Sequence, residues 1–154
     1  MMLLPNITLN TKMDFLVIDV NVALSSILGF GNSLRIFELN VEKKKFKFIA
    51  PEYLSIEFGK HAVDLAKRSK FSIDESQEAI RLIVDQLTFV SENDFRDKLN
   101  EARKILGKHE KDVPYLALAI AKNCDILSGD KIFKELVPEK VKTPREILEM
   151  FEKD

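Results

Sequence analysis

Along the chain, short unbroken apolar runs alternate with longer stretches whose apolar residues recur at helical spacing. FLVID, ending at Asp19, is too short for a helix, and its continuous apolar character is that of a strand covered on both faces. VALSSILGF then predicts a short helix closed by Gly29 or Gly31, and NSLRIFEL a second, capped by Asn32 or Ser33. KFKFIA is the next strand. Pro51 stands where a helix can begin, and PEYLSIEFGKHAVDLAKRS keeps helical spacing as far as Lys67. SIDESQEAIRLIVDQL opens with a capping-box signature, Ser72 with Glu75, and carries Ala79, Leu82, Ile83 and Leu87 on one stripe.

LTFV predicts another short strand, and NDFRDKLNEARKILG an amphipathic helix ending at Gly107, followed by the charged loop HEKD. VPYLALAIAKN is apolar almost throughout and has Pro114 in its first turn, so it predicts a helix buried on most sides. CDILSGD is the fourth strand, KIFKELVP a short helix, EKVKT the last strand and PREILEMFEK a closing helix with Pro144 in its first turn. Strands alternating with helices imply parallel pairing through right-handed crossovers. The expected fold is α/β, a three-layer α/β/α sandwich around a central, mainly parallel sheet of four to five strands. The sequence shows neither an internal repeat nor a low-complexity linker, so residues 1–13 read as a leader and 14–154 as a single domain.

A chain of 154 residues with 45% hydrophobic content can bury roughly 70% of its unfolded surface. Cys124 has no partner for a disulfide, excludes a cysteine-based metal cage, and reads as a small buried apolar residue in a reducing compartment. His61 and His109 lack spaced ligand partners, so any metal would be held by oxygen. No window approaches the ~20 apolar residues of a membrane helix, and the leader lacks a basic flank. A soluble, cytoplasmic protein without membrane contact is expected. The net charge of −1 excludes the strongly basic body of a protein that binds nucleic acid by electrostatics alone. Phosphate contacts would have to be local. Candidates are Lys43, Lys44 and Lys45, where a solvated hairpin-like turn is the plainer reading, and Lys131 beside Asp130. LTFV, Phe30 and Phe37 are candidate contact regions. The 32% of charged residues, with no tryptophan, suggests a heat-adapted source.

Four acids change the picture. In open α/β sheets, ligands sit beyond the carboxyl ends of the strands. Asp19 and Asp130 each follow an apolar strand, and Asp112 precedes the most apolar helix, so three acids face one rim. Taken singly, Asp19 and Asp112 could be helix caps and Asp130 a turn residue. Glu57 shares a helix stripe with Leu54, Phe58, Ala62 and Leu65, which makes it half-buried and in need of a cation or a partner such as His61. A shared divalent cation, Mg²⁺ or Mn²⁺, is the simplest arrangement that satisfies all four. Such a site is equipped to hydrolyse a phosphodiester.

DVN after the first strand, the glutamate in PEYLSIEF, D-x-P-Y-L-A-L-A at the buried helix and I-L-S-G-D-K-I-F after the fourth strand together resemble the PIN domain family, over nearly the whole chain from Phe15. The resemblance implies a PIN-like fold and a metal-dependent ribonuclease, with Asp19, Glu57, Asp112 and Asp130 as the catalytic and metal-binding quartet. Asn21 matches a polar position that supports the site by hydrogen bonding, and Ser128 the small hydroxyl residue two before the last acid. Asp19, Glu57 and Asp112 would be the main ligands, with Asp130 at a second site or acting through water.

The implied partners are RNA, a second copy in a homodimer and, for a toxin of a toxin–antitoxin pair, a small antitoxin protein; a stand-alone RNA-processing or RNA-decay nuclease fits as well. Three rivals are weighed on residues. A haloacid-dehalogenase phosphatase needs a second Asp where this chain has Asn21, and a receiver domain needs adjacent acids after its first strand. A catalytically silent PIN-like module that binds RNA or protein stays open, although it would bear the repulsion of four acids without using it.

Overall fold

The computed structural model describes residues 13–29 and 31–153. Among them run β1 (Asp14–Ile18), α1 (Val20–Leu28), α2 (Ser33–Lys43), β2 (Phe46–Pro51), α3 (Leu54–Arg68), α4 (Ile73–Gln86) and β3 (Leu87–Val90). There follow α5 (Leu99–Leu106), α6 (Val113–Lys122), β4 (Asp125–Leu127), α7 (Lys131–Leu136), β5 (Val141–Lys142) and α8 (Pro144–Glu152). Short 3₁₀ turns precede α5 and α6.

The strands form one sheet in the order β3-β2-β1-β4-β5, and every neighbouring pair is parallel. Parallel strands need crossover helices on both faces, so the inner strands are buried from both sides and read as unbroken apolar runs. Leu16, Val17 and Ile18 of β1 and Ile126 and Leu127 of β4 are almost wholly inaccessible. Right-handed crossovers place α1–α4 on one face, where they pack among themselves, and α5 and α6 on the other, where α6 covers β1, β2 and β4. Phe48 of β2 meets Phe37 of α2 edge-on at 5.1 Å, and Phe46 meets Phe151 of α8 at 5.7 Å. The α/β sandwich read from the sequence is the fold observed.

Several local expectations are corrected. Pro51 ends β2 and does not start α3; at the last strand position its missing N–H costs no ladder bond, and the chain continues the pairing through the Glu52 N–H to Val90. EKKKFK is not a hairpin-like turn: α2 runs through Lys43, Lys44 caps it in the left-handed region, and β2 begins two residues on. Phe37 is completely buried and offers no contact surface, and Phe30 lies outside the described residues, as does the leader apart from Met13. Cys124 is only half-buried. Gly29 closes α1 at φ 79°, where a Cβ would stand 2.7 Å from the Phe71 ring.

Strand order reverses between β1 and β4, because the chain leaves β1 toward β2 and β3 and returns on the other side. At such a switch point the loops diverge and leave a crevice at the carboxyl ends. Asp19 follows β1 and Asp130 follows β4, so the two acids flank it.

Candidate active site

Asp19 is the N-cap of α1 and is 5% exposed. Its Oδ1 accepts the Asn21 N–H at 3.0 Å and its Oδ2 accepts the Ser128 hydroxyl at 2.8 Å. The buried Ser128 oxygen in turn accepts the Asp130 N–H at 3.1 Å, so one hydroxyl ties the acid after β1 to the acid after β4. Asp130 caps α7, its Oδ1 accepting from Ile132 at 2.9 Å and from Phe133 at 3.1 Å. Its Oδ2 lies 3.1 Å from Lys111 Nζ. Asp112 precedes α6 but makes no side-chain cap bond, and its buried Oδ2 has no hydrogen-bond partner. Capping therefore accounts for Asp19 and Asp130, and leaves Asp112 without a structural role.

The electrostatics follow from burial and from the neighbours. Burial pushes the Asp112 carboxyl up to about 6, helped by the charge on Asp130 and opposed by Lys111. Burial also raises Asp19, against the lowering effect of the Asn21 N–H and the Ser128 hydroxyl. Burial would raise Asp130 too, but the Phe133 N–H and the Lys111 ammonium outweigh it and hold that carboxyl below its usual range. Lys111 is raised, chiefly by its hydrogen bond to Asp130. Outside the site, burial pushes the Cys124 thiol up to about 11, so it is a poor nucleophile.

Asp19, Glu57, Asp112 and Asp130 line one cleft of about 180 Å³, together with Lys111 and Tyr115. A second hollow opens on the other side of Asp19 and Asp130, lined by Asn21, Ser25, Ser33, Gly129 and Pro144. The two share Asp19, Asn21 and Asp130, whereas Glu57 and Asp112 belong to the first alone. A larger hollow of about 480 Å³ lies at the amino ends of β1 and β4, far from this chemistry.

Glu57 departs from expectation. Its side chain is 58% exposed and stands 4.0 Å from His61 Nε2, because it lies about 100° around α3 from Phe58, at the border of the buried stripe of Leu54, Phe58 and Ala62. Asn21 reaches Asp19 through its backbone N–H. Lys131 is exposed at the first position of α7, beside Asp130. Lys43, Lys44 and Lys45 stand at the amino end of β2, level with Asp14, a strand length from the acids; Lys43 donates to the Phe151 carbonyl at 3.0 Å. They are on the wrong rim to contact a phosphate at the acid site. Two lining residues were not singled out in the sequence. Lys111 is hidden in a run of ordinary surface charge, its one signal being adjacency to Asp112; Tyr115 reads as a core residue of α6, yet its hydroxyl accepts the Val20 N–H at 3.0 Å.

Among the described residues, no three His, Cys, Asp or Glu side chains converge closely enough to hold a metal as they stand. The donor set nonetheless fits a hard divalent ion. All four groups are carboxylates, and the orphaned Asp112 Oδ2 is a buried acceptor with nothing to accept from. Lys111 already supplies one positive charge to Asp130 there.

The sequence model of the PIN domain matches residues 17–148. The fold is similar to the crystal structure of PAE2754 from Pyrobaculum aerophilum, with a TM-score of 0.62 at 12% identity, covering 92% of this chain and 91% of that one. No curated protein matches the chain.

Proposed function

Since the chain belongs to the PIN domain family, whose members are generally nucleases and typically use divalent metals, we propose that it is a Mg²⁺- or Mn²⁺-dependent endoribonuclease acting at Asp19, Glu57, Asp112 and Asp130. The observation that carries this reading is the buried Asp112 Oδ2, unpartnered in a cleft that it shares with three further carboxylates. A carboxylate kept there against burial and like charge has a use other than stability.

When bound, a divalent ion would supply a Lewis acid for the phosphate and ionise an attacking water. The chain's own groups do the rest. Ser128 and the Asn21 N–H fix both oxygens of Asp19 so that it cannot turn away. Two α7 amides fix Asp130 Oδ1. Asp112 remains free to take a cation or a proton. Glu57, on the solvent side, would complete the set from α3. The proposal includes RNA as substrate, a homodimer, and either a toxin restrained by an antitoxin or a free-standing processing nuclease.

Incubation of labelled single-stranded RNA with the protein and Mn²⁺ tests it. Cleavage that is abolished by EDTA and absent in Asp19→Asn is the expected result. RNA bound but never cut, in Mg²⁺ or Mn²⁺, would contradict the nuclease and favour the silent binding module.

A further inference from the structure

Among the described residues, Lys111 is the sole lysine or arginine lining the acid cleft, and its ammonium rests on the one oxygen of Asp130 that the α7 amides leave open. It sits in the 3₁₀ turn Glu110–Asp112, so the same turn presents this ammonium and the orphaned carboxylate of Asp112 side by side. At 71% exposure its stem is unconfined, and a four-carbon stem can move its charge several ångströms by rotamer change alone.

We propose that Lys111 is the phosphate contact of this site, parked on Asp130 until a divalent cation takes its place. This rests on the nuclease reading. A divalent ion and an ammonium cannot share Asp130 without strong repulsion, so an ion entering the cleft displaces Lys111. The released ammonium remains at the mouth of a cleft whose other charged side chains are carboxylates, where it is the positive charge that the chain itself can offer an RNA phosphate beside the ion. Lysine suits that task as a mobile point charge. Lys111 would thus have two positions, one keeping the metal-free cleft partly neutral and the other binding substrate.

Two measurements on the full chain test the exchange. Calorimetric titration with Mn²⁺ alone should show Lys111→Met binding the ion more tightly than wild type, by roughly two- to fivefold for the loss of one exposed competing charge. Fluorescence anisotropy of a short labelled single-stranded RNA, in Ca²⁺ to suppress turnover, should show the same variant binding RNA several-fold more weakly, with Lys111→Arg restoring most of the affinity. Mn²⁺ affinity unchanged or weakened in Lys111→Met would overturn the exchange, and so would unchanged RNA affinity. A wild type that binds no Mn²⁺ at all would instead bring down the nuclease reading on which the proposal stands.

Discussion

Asp112 holds its proton up to about pH 6 in the folded chain, against an ordinary 3.8. A carboxyl raised by folding contributes stability below its unfolded pKa, and that contribution is lost as pH rises through the folded value. Keeping Asp112 ionised in the folded chain costs on the order of 2–3 kcal/mol at neutral pH in the metal-free protein. Asp112→Asn should therefore be more stable than metal-free wild type near pH 8, by roughly 1–2 kcal/mol once about 1 kcal/mol for a poorer fit is allowed for, and near pH 4 that advantage should be gone and the poorer fit alone should show. Urea unfolding at the two pH values checks it; a variant less stable than wild type at pH 8 as well would make Asp112 structural. At this scale the sequence was most informative where function is set by chain-local context. Asp19, Asp112 and Asp130 each stand at an element boundary readable from a few neighbours. Lys111 and Tyr115 were not legible, since each acquires its meaning from a partner distant in sequence, Asp130 for one and Val20 for the other. The expected burial of Glu57 came from drawing the helix stripe too wide: Leu54, Phe58 and Ala62 are buried, and Glu57 stands at their border in solvent.

Elements were read correctly where their termini carry chemistry. Ser72 forms with Glu75 the capping box read from the sequence, whereas Thr143, read as the end of the last strand, instead caps α8 with a second box through Glu146. Glu146 also takes the Lys134 ammonium at 2.9 Å, which with the Thr143 N–H holds its carboxyl down to about 2. The Thr143 cap starts α8, which carries Ile147 and Phe151 into the core. Thr143→Ala should cost about 1 kcal/mol, seen as a lower urea midpoint with an unchanged slope. No loss would mean that packing of Phe151 alone sets α8. The failures at this scale, Pro51 and EKKKFK, share a cause. Proline and lysine are compatible with several backbone states, and the choice was made by pairing with β3 and by the length of α2, neither of which is local.

For the whole molecule, periodicity indicated a parallel sheet but not its strand order, which depends on which strands meet across long crossovers. Order decides function here. The reversal at β1 and β4 opens the crevice that Asp19 and Asp130 flank, and the strand direction puts Lys43, Lys44 and Lys45 on the opposite rim. Among the described residues no helix is long and apolar enough to cross a membrane. Binding of a divalent cation in the cleft through Asp112 and its neighbours is tested by thermal melting of wild type and Asp112→Asn across a Mn²⁺ titration at neutral pH. Wild type should gain roughly 5–10 °C at saturating ion while the variant stays nearly flat. An equal gain in both, or none in wild type, would mean that Asp112 holds no cation.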